Sequence, residues 1–245
     1  AIHYFPVPDA VETARPKIDK ILVNLFEFNG ERHQLPSSIQ WLTNPSNDRE
    51  WQILLHKFYY AVGLGMAYHE THAPHYAEKW VELTSSWIGT VPRDFLPSDV
   101  AGRRIQNWIF AHYYFASTGQ PSCVTPDFYL SFLQSLHDQI LHLRNHVTPA
   151  RNHRTLELCG IFLASVVFPE FAESAEWLRW SKDELVKNIQ SDLQPDGVHC
   201  EQSTDYHHLV LKNYLWIKNL AVLNQIEMPE PFDQLVKKAL EFSLY

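Results

Sequence analysis

The chain has 245 residues, of which 45% are apolar and 20% are charged, with 8 glycines and 15 prolines. This composition excludes a disordered or collagen-like chain and predicts a folded protein with a sizeable hydrophobic core. Acidic residues outnumber basic ones, 28 against 20, and the resulting net charge of −8 argues against general electrostatic attraction to nucleic acid or to an anionic membrane.

Cysteine spacing and hydropathy exclude other classes of protein. Cys123, Cys159 and Cys200 are far apart and lack Cys-x-x-Cys or Cys/His finger spacing, so we expect buried thiols rather than disulfides or a structural zinc site. The segment that starts at His69 is similar to the zinc-protease motif His-Glu-x-x-His, but Ala73 stands where this motif needs its second histidine. Pro74 also interrupts the helix that the motif requires. No apolar run is long enough to span a membrane.

The first 50 residues carry prolines at positions 6, 8, 16, 36 and 45, and we expect them to form an extended lead-in that wraps the helices. From residue 51 to residue 245 the apolar spacing is helical almost throughout, and the length of the chain suits one large domain or two small ones. The predicted helices cover residues 51–62, 75–88, 101–117, 129–143, 153–168, 173–193, 203–224 and 230–245.

Alternating strand patterns are scarce, so the predicted fold class is all-α. Thr125-Pro126-Asp127 supplies an N-cap, a first-turn proline and an acid for the helix that follows. Short connections, such as 92–97 and 194–197, predict that successive helices are antiparallel neighbours. A bundle, a solenoid and a closed toroid all fit this pattern, although no fixed-period repeat favours a solenoid.

The segment from Asp196 to His208 opens a predicted helix and carries several titratable groups. Ser203 is a plausible N-cap, which places Tyr206 at the third position of the first turn. There the phenol would feel the positive end of the helix dipole, which favours its ionised form. The simpler interpretation, which the spacing alone favours, is a tyrosine that packs at a helix start.

A second helix start combines an amide with a small cationic patch. Asn152 and His153 lie between Arg151 and Arg154, a combination that suits a carboxylate ligand. Glu157 is four residues from His153 and could hold its imidazole in one tautomer. Alternatively, Asn152 is only the N-cap of the helix.

A third patch joins arginines to aromatic residues at the start of another helix. Arg103 and Arg104 precede Trp108, and guanidinium groups beside aromatic faces can hold sulfates, carboxylates and sugar rings. An equally good interpretation makes Trp108 a core residue and one arginine a surface charge.

Taken together, these motifs resemble the α/α-toroid domain of heparinase II/III-type polysaccharide lyases. The resemblance covers most of the chain from about residue 40 and rests on three stretches. They are Trp41-Leu42-x-Asn44-Pro45 with Glu50-Trp51, Gly102-Arg103-Arg104 with Trp108, and Asn152-His153 with Asp196-Gly197, Glu201-Gln202-Ser203 and Tyr206-His207. The fold that this resemblance implies is an incomplete (α/α) toroid of antiparallel helical hairpins, with residues 51–245 as the catalytic domain.

The resemblance implies β-elimination of a uronic-acid polysaccharide, either heparan-sulfate-like or alginate-like, without a cofactor or metal in this chain. Asn152 would neutralise the uronate, Tyr206 would transfer the proton, and His153 would be a second ligand or the base. The implied substrate-binding residues are Arg103, Arg104, Trp108, Arg151, Glu201 and His207.

The resemblance also implies a C-terminal β-sandwich domain, which contributes to the groove, and a periplasmic or secreted location. Without that domain, the isolated chain could be inactive. Two other functions remain open. One is a glycoside hydrolase on a similar toroid, which would use Asp196 and Glu201 as its paired carboxylates. The other is a non-catalytic module that binds glycan through the same patches.

Overall fold

The structure is a computed structural model that describes residues 2–117, 119 and 121–243. The chain divides into two compact units, one formed by residues 5–139 and the other by residues 1–4 with 140–245. Within the described residues, no helix is long and apolar enough to cross a bilayer.

The unit formed by residues 5–139 contains a β-hairpin and most of the first six helices. Its elements are α1 (Arg15–Ile21), β1 (Leu25–Phe28), β2 (Glu31–Gln34), α2 (Arg49–Lys57), α3 (Tyr59–Thr71), α4 (Pro74–Thr90), α5 (Ser98–Ser117) and the first part of α6 (Pro126–Asn145). Helix α3 packs against α1, α4 and α5.

The other unit is helical apart from one isolated β-bridge among its described residues. It contains the end of α6, then α7 (Arg151–Val167), α8 (Ser174–Asp192), α9 (Thr204–Leu223) and α10 (Pro231–Phe242). Helix α7 packs against α8 and α9, and α10 packs against α8 and α9. The all-α class predicted from the sequence is therefore confirmed.

The first 50 residues differ from the expected extended lead-in, because they form α1 and the β1–β2 hairpin. Strand β1 pairs antiparallel with β2, so that Phe28 faces Glu31 across the turn. Asn29 and Gly30 have φ values of 52° and 78°, which are the left-handed values that a tight hairpin turn requires at both central residues. The Asn-Gly pair is thus the local cause of the hairpin.

The helix predicted over residues 51–62 is interrupted at Phe58, whose φ is 60°. Two side chains of α5 stabilise this break, because they donate hydrogen bonds to the last carbonyl groups of α2. Arg104 Nη1 donates to His56 O at 3.1 Å, and Asn107 Nδ2 donates to Lys57 O at 2.8 Å. Because these donors replace the missing helical N–H groups, α2 can end inside the core without losing hydrogen bonds.

A buried network ties together the three helices that carry the candidate site. Asn188 of α8 donates to Thr155 Oγ1 of α7 at 3.0 Å and to the hydroxyl of Tyr214 on α9 at 3.2 Å. The Tyr214 hydroxyl donates to Leu185 O at 3.1 Å, and complete burial raises the pKa of this phenol far above its usual range. This network fixes the mutual positions of α7, α8 and α9.

Replacing Asn188 with leucine should lower the free energy of unfolding by about 1–3 kcal/mol, because the buried hydroxyl groups of Thr155 and Tyr214 lose a partner. Chemical denaturation of the purified variant measures this effect. Asn145→Leu is the matched control, since Asn145 is exposed and, among the described residues, bonds to Leu141 O of its own helix. An equal loss in both variants would contradict the structural role of the network.

Candidate functional site

The start of α7 presents Asn152 on a tightly constrained backbone. Ala150 is the N-cap residue and makes no side-chain capping bond, so the interpretation of Asn152 as the N-cap is wrong. Asn152 is instead the second helical residue, and its side chain is buried, with 5% relative exposure. Arg151 precedes it with a left-handed φ of 73°, a conformation that is costly for residues that carry a Cβ atom.

A hydrogen bond joins Asn152 to the turn that precedes α9. Asn152 Nδ2 donates to Glu201 Oε2 at 2.8 Å. Since an amide NH₂ has two hydrogens, this contact orients the group and leaves the second hydrogen for another acceptor. Glu201 therefore orients the amide of Asn152, and a contact between Glu201 and the substrate stays a prediction.

The turn between α8 and α9 is built around Gly197. Its φ is 94°, and a Cβ at this position would lie 2.6 Å from Lys238 O of α10, so only glycine fits. Asp196 Oδ1 accepts a bond from Val198 N at 3.1 Å, which closes an Asx turn. Leu193 and His199 pair in the isolated bridge beyond it.

Helix α9 begins as the sequence predicts. Ser203 is the N-cap, and its hydroxyl accepts from Tyr206 N at 3.4 Å. Tyr206 is therefore at the third helical position, as predicted, and 46% of its surface is exposed. Thr204 and His208, on either side of it, line an open surface cleft together with Lys238 and Glu241 of α10. The phenol is thus available to a ligand.

His207 is buried, which favours a structural role over the predicted place in the groove. Its Nδ1 accepts from His199 N at 3.3 Å, and its Nε2 donates to Ala239 O at 3.0 Å. Both ring nitrogens therefore make hydrogen bonds when the ring is neutral and carries its proton on Nε2. Burial lowers the pKa of His207, in agreement with an uncharged ring.

Sequence reasoning missed two residues behind this site, Asp192 and His199. Asp192 Oδ2 accepts the backbone N–H of Arg151 at 3.0 Å, and His199 is completely buried beside it. One signal was present: Asp192 is the last residue of α8, where a negative charge opposes the helix dipole. An acid in that position destabilises its own helix, which suggests that it binds a group in another part of the chain.

The remaining residues predicted around Asn152 fall into two groups. Arg151 and His153 are exposed on the first turn of α7. Arg154 is engaged, because it donates to Thr148 O at 2.6 Å and pairs with Glu184. Glu157 is buried and accepts from Thr148 N at 2.7 Å. Only Arg151 and His153 combine proximity to Asn152 in the chain with exposure.

The third predicted patch lies in the unit formed by residues 5–139, where two of its members are core residues. Trp108 is fully buried and stacks near Phe132. Arg104 is also buried, with its guanidinium 4.2 Å from the centre of the Trp87 ring, and burial lowers its pKa to about 9. Their burial favours the core interpretation of both residues over the groove-lining one.

Arg103 is the partly exposed member of this patch. Its Nη1 donates to Gln106 Oε1 at 3.0 Å, and its guanidinium lies 5.9 Å from the centre of the Tyr59 ring. A glycan contact from Arg103 stays a prediction.

The arrangement around α7 and α9 therefore combines three chemical features. A buried amide is oriented by a carboxylate, an exposed phenol stands on a helix N-terminus, and exposed cationic or titratable groups flank the amide. Such a set can bind an anion and move a proton.

Comparison with known proteins reveals relatives across nearly the whole chain. A heparin-sulfate lyase of Pedobacter heparinus is 26% identical over 241 residues, which is 94% of this chain and 36% of that protein. A heparin-sulfate lyase of Bacteroides thetaiotaomicron is 22% identical over 218 residues, 84% of this chain and 31% of that protein. The chain thus spans about a third of the length of these curated relatives.

Solved structures show the same fold. The heparan sulfate lyase HepC of Pedobacter heparinus aligns with a TM-score of 0.81 at 27% identity over 96% of this chain and 38% of its own. A crystal structure of heparinase III aligns with a TM-score of 0.86 at 21% identity over 98% of this chain and 39% of its own. These matches confirm the predicted α/α-toroid fold class.

The model of one family, described as the heparinase II/III N-terminus, matches residues 9–245. This match confirms the resemblance that the sequence motifs suggested. The chain therefore belongs to the heparinase II/III family.

Proposed function

We propose that the full-length protein is a polysaccharide lyase that cleaves a uronic-acid polysaccharide by β-elimination. The observation that carries the proposal is the 2.8 Å bond from Asn152 to Glu201, which links the start of α7 to the turn that presents Tyr206. The relatives named heparin-sulfate lyases support heparan sulfate as the substrate class.

The reaction requires charge stabilisation at the uronate. Removal of the proton on the carbon next to the carboxylate builds further negative charge on that group. The electron pair then forms a double bond to the neighbouring carbon, and the glycosidic oxygen leaves and takes up a proton. Donors that bind the developing anion more strongly than the ground state lower the barrier. The free hydrogen of the Asn152 amide is suited to this role.

Tyr206 is proposed as the group that transfers the proton. Removal of a proton by a tyrosine at neutral pH needs stabilisation of the phenolate, because a free phenol ionises only near pH ~10. The position of Tyr206 in the first turn of α9 provides the positive end of a helix dipole. Depending on the stereochemistry of the sugar, the phenol removes the proton or donates one to the departing oxygen. His153, exposed beside Asn152, is proposed as a second ligand or base.

The contacts of Glu201 argue against the rival hydrolase mechanism. A glycoside hydrolase needs two carboxyl groups free to act on the glycosidic bond. Glu201 is engaged by Asn152, and Asp196 closes the turn at Val198. Both carboxylates therefore take part in hydrogen bonds within the fold, which supports elimination over hydrolysis.

The rest of the binding groove is proposed to come from a further domain. The chain spans about a third of the length of its curated relatives, which supports the β-sandwich domain implied by the family resemblance. Because polysaccharides of this class lie outside cells, we propose a periplasmic or secreted location for the protein.

Product chemistry tests the proposed function directly. Full-length protein incubated with heparan sulfate should release oligosaccharides with a conjugated double bond, which absorbs ultraviolet light. Alginate and a neutral glucan serve as comparison substrates. New reducing ends without ultraviolet absorbance would identify a hydrolase, and binding without any cleavage would favour the glycan-binding module.

Replacement of Tyr206 by phenylalanine should lower kcat by about 10²–10⁴-fold, because general acid–base catalysis is worth about that much. Substrate affinity and thermal stability should change little, since the hydroxyl is not part of the core. Steady-state kinetics of the full-length protein measures the effect. Tyr68→Phe is the control, because Tyr68 is a partly exposed helical tyrosine of the unit formed by residues 5–139. Unchanged turnover in Tyr206→Phe would remove that residue from the mechanism.

Asn152→Ala should lower kcat by about 10²–10³-fold with a smaller change in KM, because the amide is proposed to follow charge that appears only in the transition state. The same variant should keep its helix content, which circular dichroism checks. A loss confined to stability, with kcat unchanged, would show that Asn152 serves only the fold.

Two substitutions of Glu201 separate positioning from acid catalysis. Glu201→Gln keeps an oxygen acceptor for Asn152 and should retain much more activity than Glu201→Ala, which removes it. If Glu201 were the acid of a hydrolase, both variants should be equally inactive. The ratio of their kcat values is therefore the decisive measurement.

A further inference from the structure

Three potential metal ligands meet between the end of α8 and the turn that follows it. Asp192, His199 and Cys200 each offer one ligand atom, and these atoms lie within 4.8 Å of one another. The cluster is assembled by the fold, because Asp192 ends a helix and the other two residues follow the Gly197 turn. The spacing of the cysteines along the chain therefore does not reveal this cluster.

His199 provides an independent sign that a ligand belongs there. The residue is completely buried, and its Nε2 atom has no hydrogen-bond partner among the described residues. This nitrogen faces Asp192 Oδ2 at 3.6 Å, which is too long for a hydrogen bond. A buried polar atom without a partner is costly, and a bound cation between the two atoms would remove that cost.

The geometry around the imidazole also suits a metal ligand. His199 Nδ1 lies 3.5 Å from Glu201 Oε2 and accepts the backbone N–H of Glu201 at 3.4 Å. A histidine that binds a metal through one nitrogen usually directs its other N–H to a carboxylate, which fixes the ring and strengthens the ligand. With a cation at Nε2, the ring proton would move to Nδ1, and Glu201 Oε2 would accept it in place of the present bond from Glu201 N.

We propose that Asp192, His199 and Cys200 form a zinc site. One oxygen, one nitrogen and one sulfur ligand match the preferences of Zn²⁺ and exclude the all-oxygen chemistry of calcium and magnesium. Tetrahedral zinc places its ligand atoms roughly 3.3–3.6 Å apart, and the His199–Asp192 separation of 3.6 Å already meets this spacing. Cys200 is partly exposed, unlike the buried thiol expected from the sequence, so a solvent molecule can take the fourth position.

The zinc site would brace both helix starts of the candidate active site. Asp192 holds the backbone N–H of Arg151 at the start of α7, and Glu201 holds the Asn152 amide. The zinc proposal does not depend on the lyase activity, because metal binding is measured without substrate.

Metal content of the full-length protein tests the site. Wild-type protein stripped with a chelator and reloaded with zinc should hold one more equivalent than Cys200→Ser. Cys123→Ser is the matched control, since Cys123 is also a partly exposed thiol, and it should bind as much zinc as wild type. Equal zinc content in all three proteins would overturn the proposal, and so would a wild type without tightly bound zinc.

Cobalt substitution provides a second readout that does not depend on stoichiometry. Co²⁺ bound to this site should give a thiolate-to-metal charge-transfer band in the near ultraviolet. The band should be present in wild type and Cys123→Ser, and absent from Cys200→Ser. Glu201→Gln should retain the band but weaken metal affinity by about 10–100-fold, as expected for a partner of a ligating histidine. A cobalt-loaded wild type without the band would contradict ligation by Cys200.

Discussion

The hydrogen bond from Asn152 to Glu201 is the contact on which the candidate site depends. It connects residues separated by 49 positions in the chain and satisfies the amide of Asn152, which is buried at the start of a helix. A carboxylate is a strong acceptor, and burial of the donor increases the cost of losing the bond. The orientation of the amide is therefore set before any ligand arrives, which is the condition for electrostatic preorganisation.

The scaffold supports this contact with buried polar groups in addition to hydrophobic packing. Asn188 ties α7, α8 and α9 together through Thr155 and Tyr214, and Asp192 holds the left-handed backbone of Arg151. Such directional bonds specify one arrangement of helices, whereas apolar contacts alone tolerate sliding. The strained residue at the start of α7 is thus retained by contacts made elsewhere in the chain.

Local patterns explain which parts of the structure could be predicted. Helix positions followed from apolar periodicity, and the place of Tyr206 followed from the Ser203 cap three residues earlier. The break at Phe58 could not be foreseen, because it depends on donors from α5. The partners of Asn152 and Arg151 lie 49 and 41 positions away, so sequence spacing held no information about them. Burial of Arg104 likewise depends on tertiary packing, which the pattern of charged and apolar residues does not predict.

The close approach of Gly197 to Lys238 O, together with the bond from His207 to Ala239 O, couples α10 mechanically to the turn beneath Tyr206. A wider gap between α9 and α10 would break the bond from His207 to Ala239 O at the start of α9. Fraying of α10 would thus be transmitted to the tyrosine. A partner that packs on the outer face of α10 would therefore act on the start of α9 without contacting Tyr206.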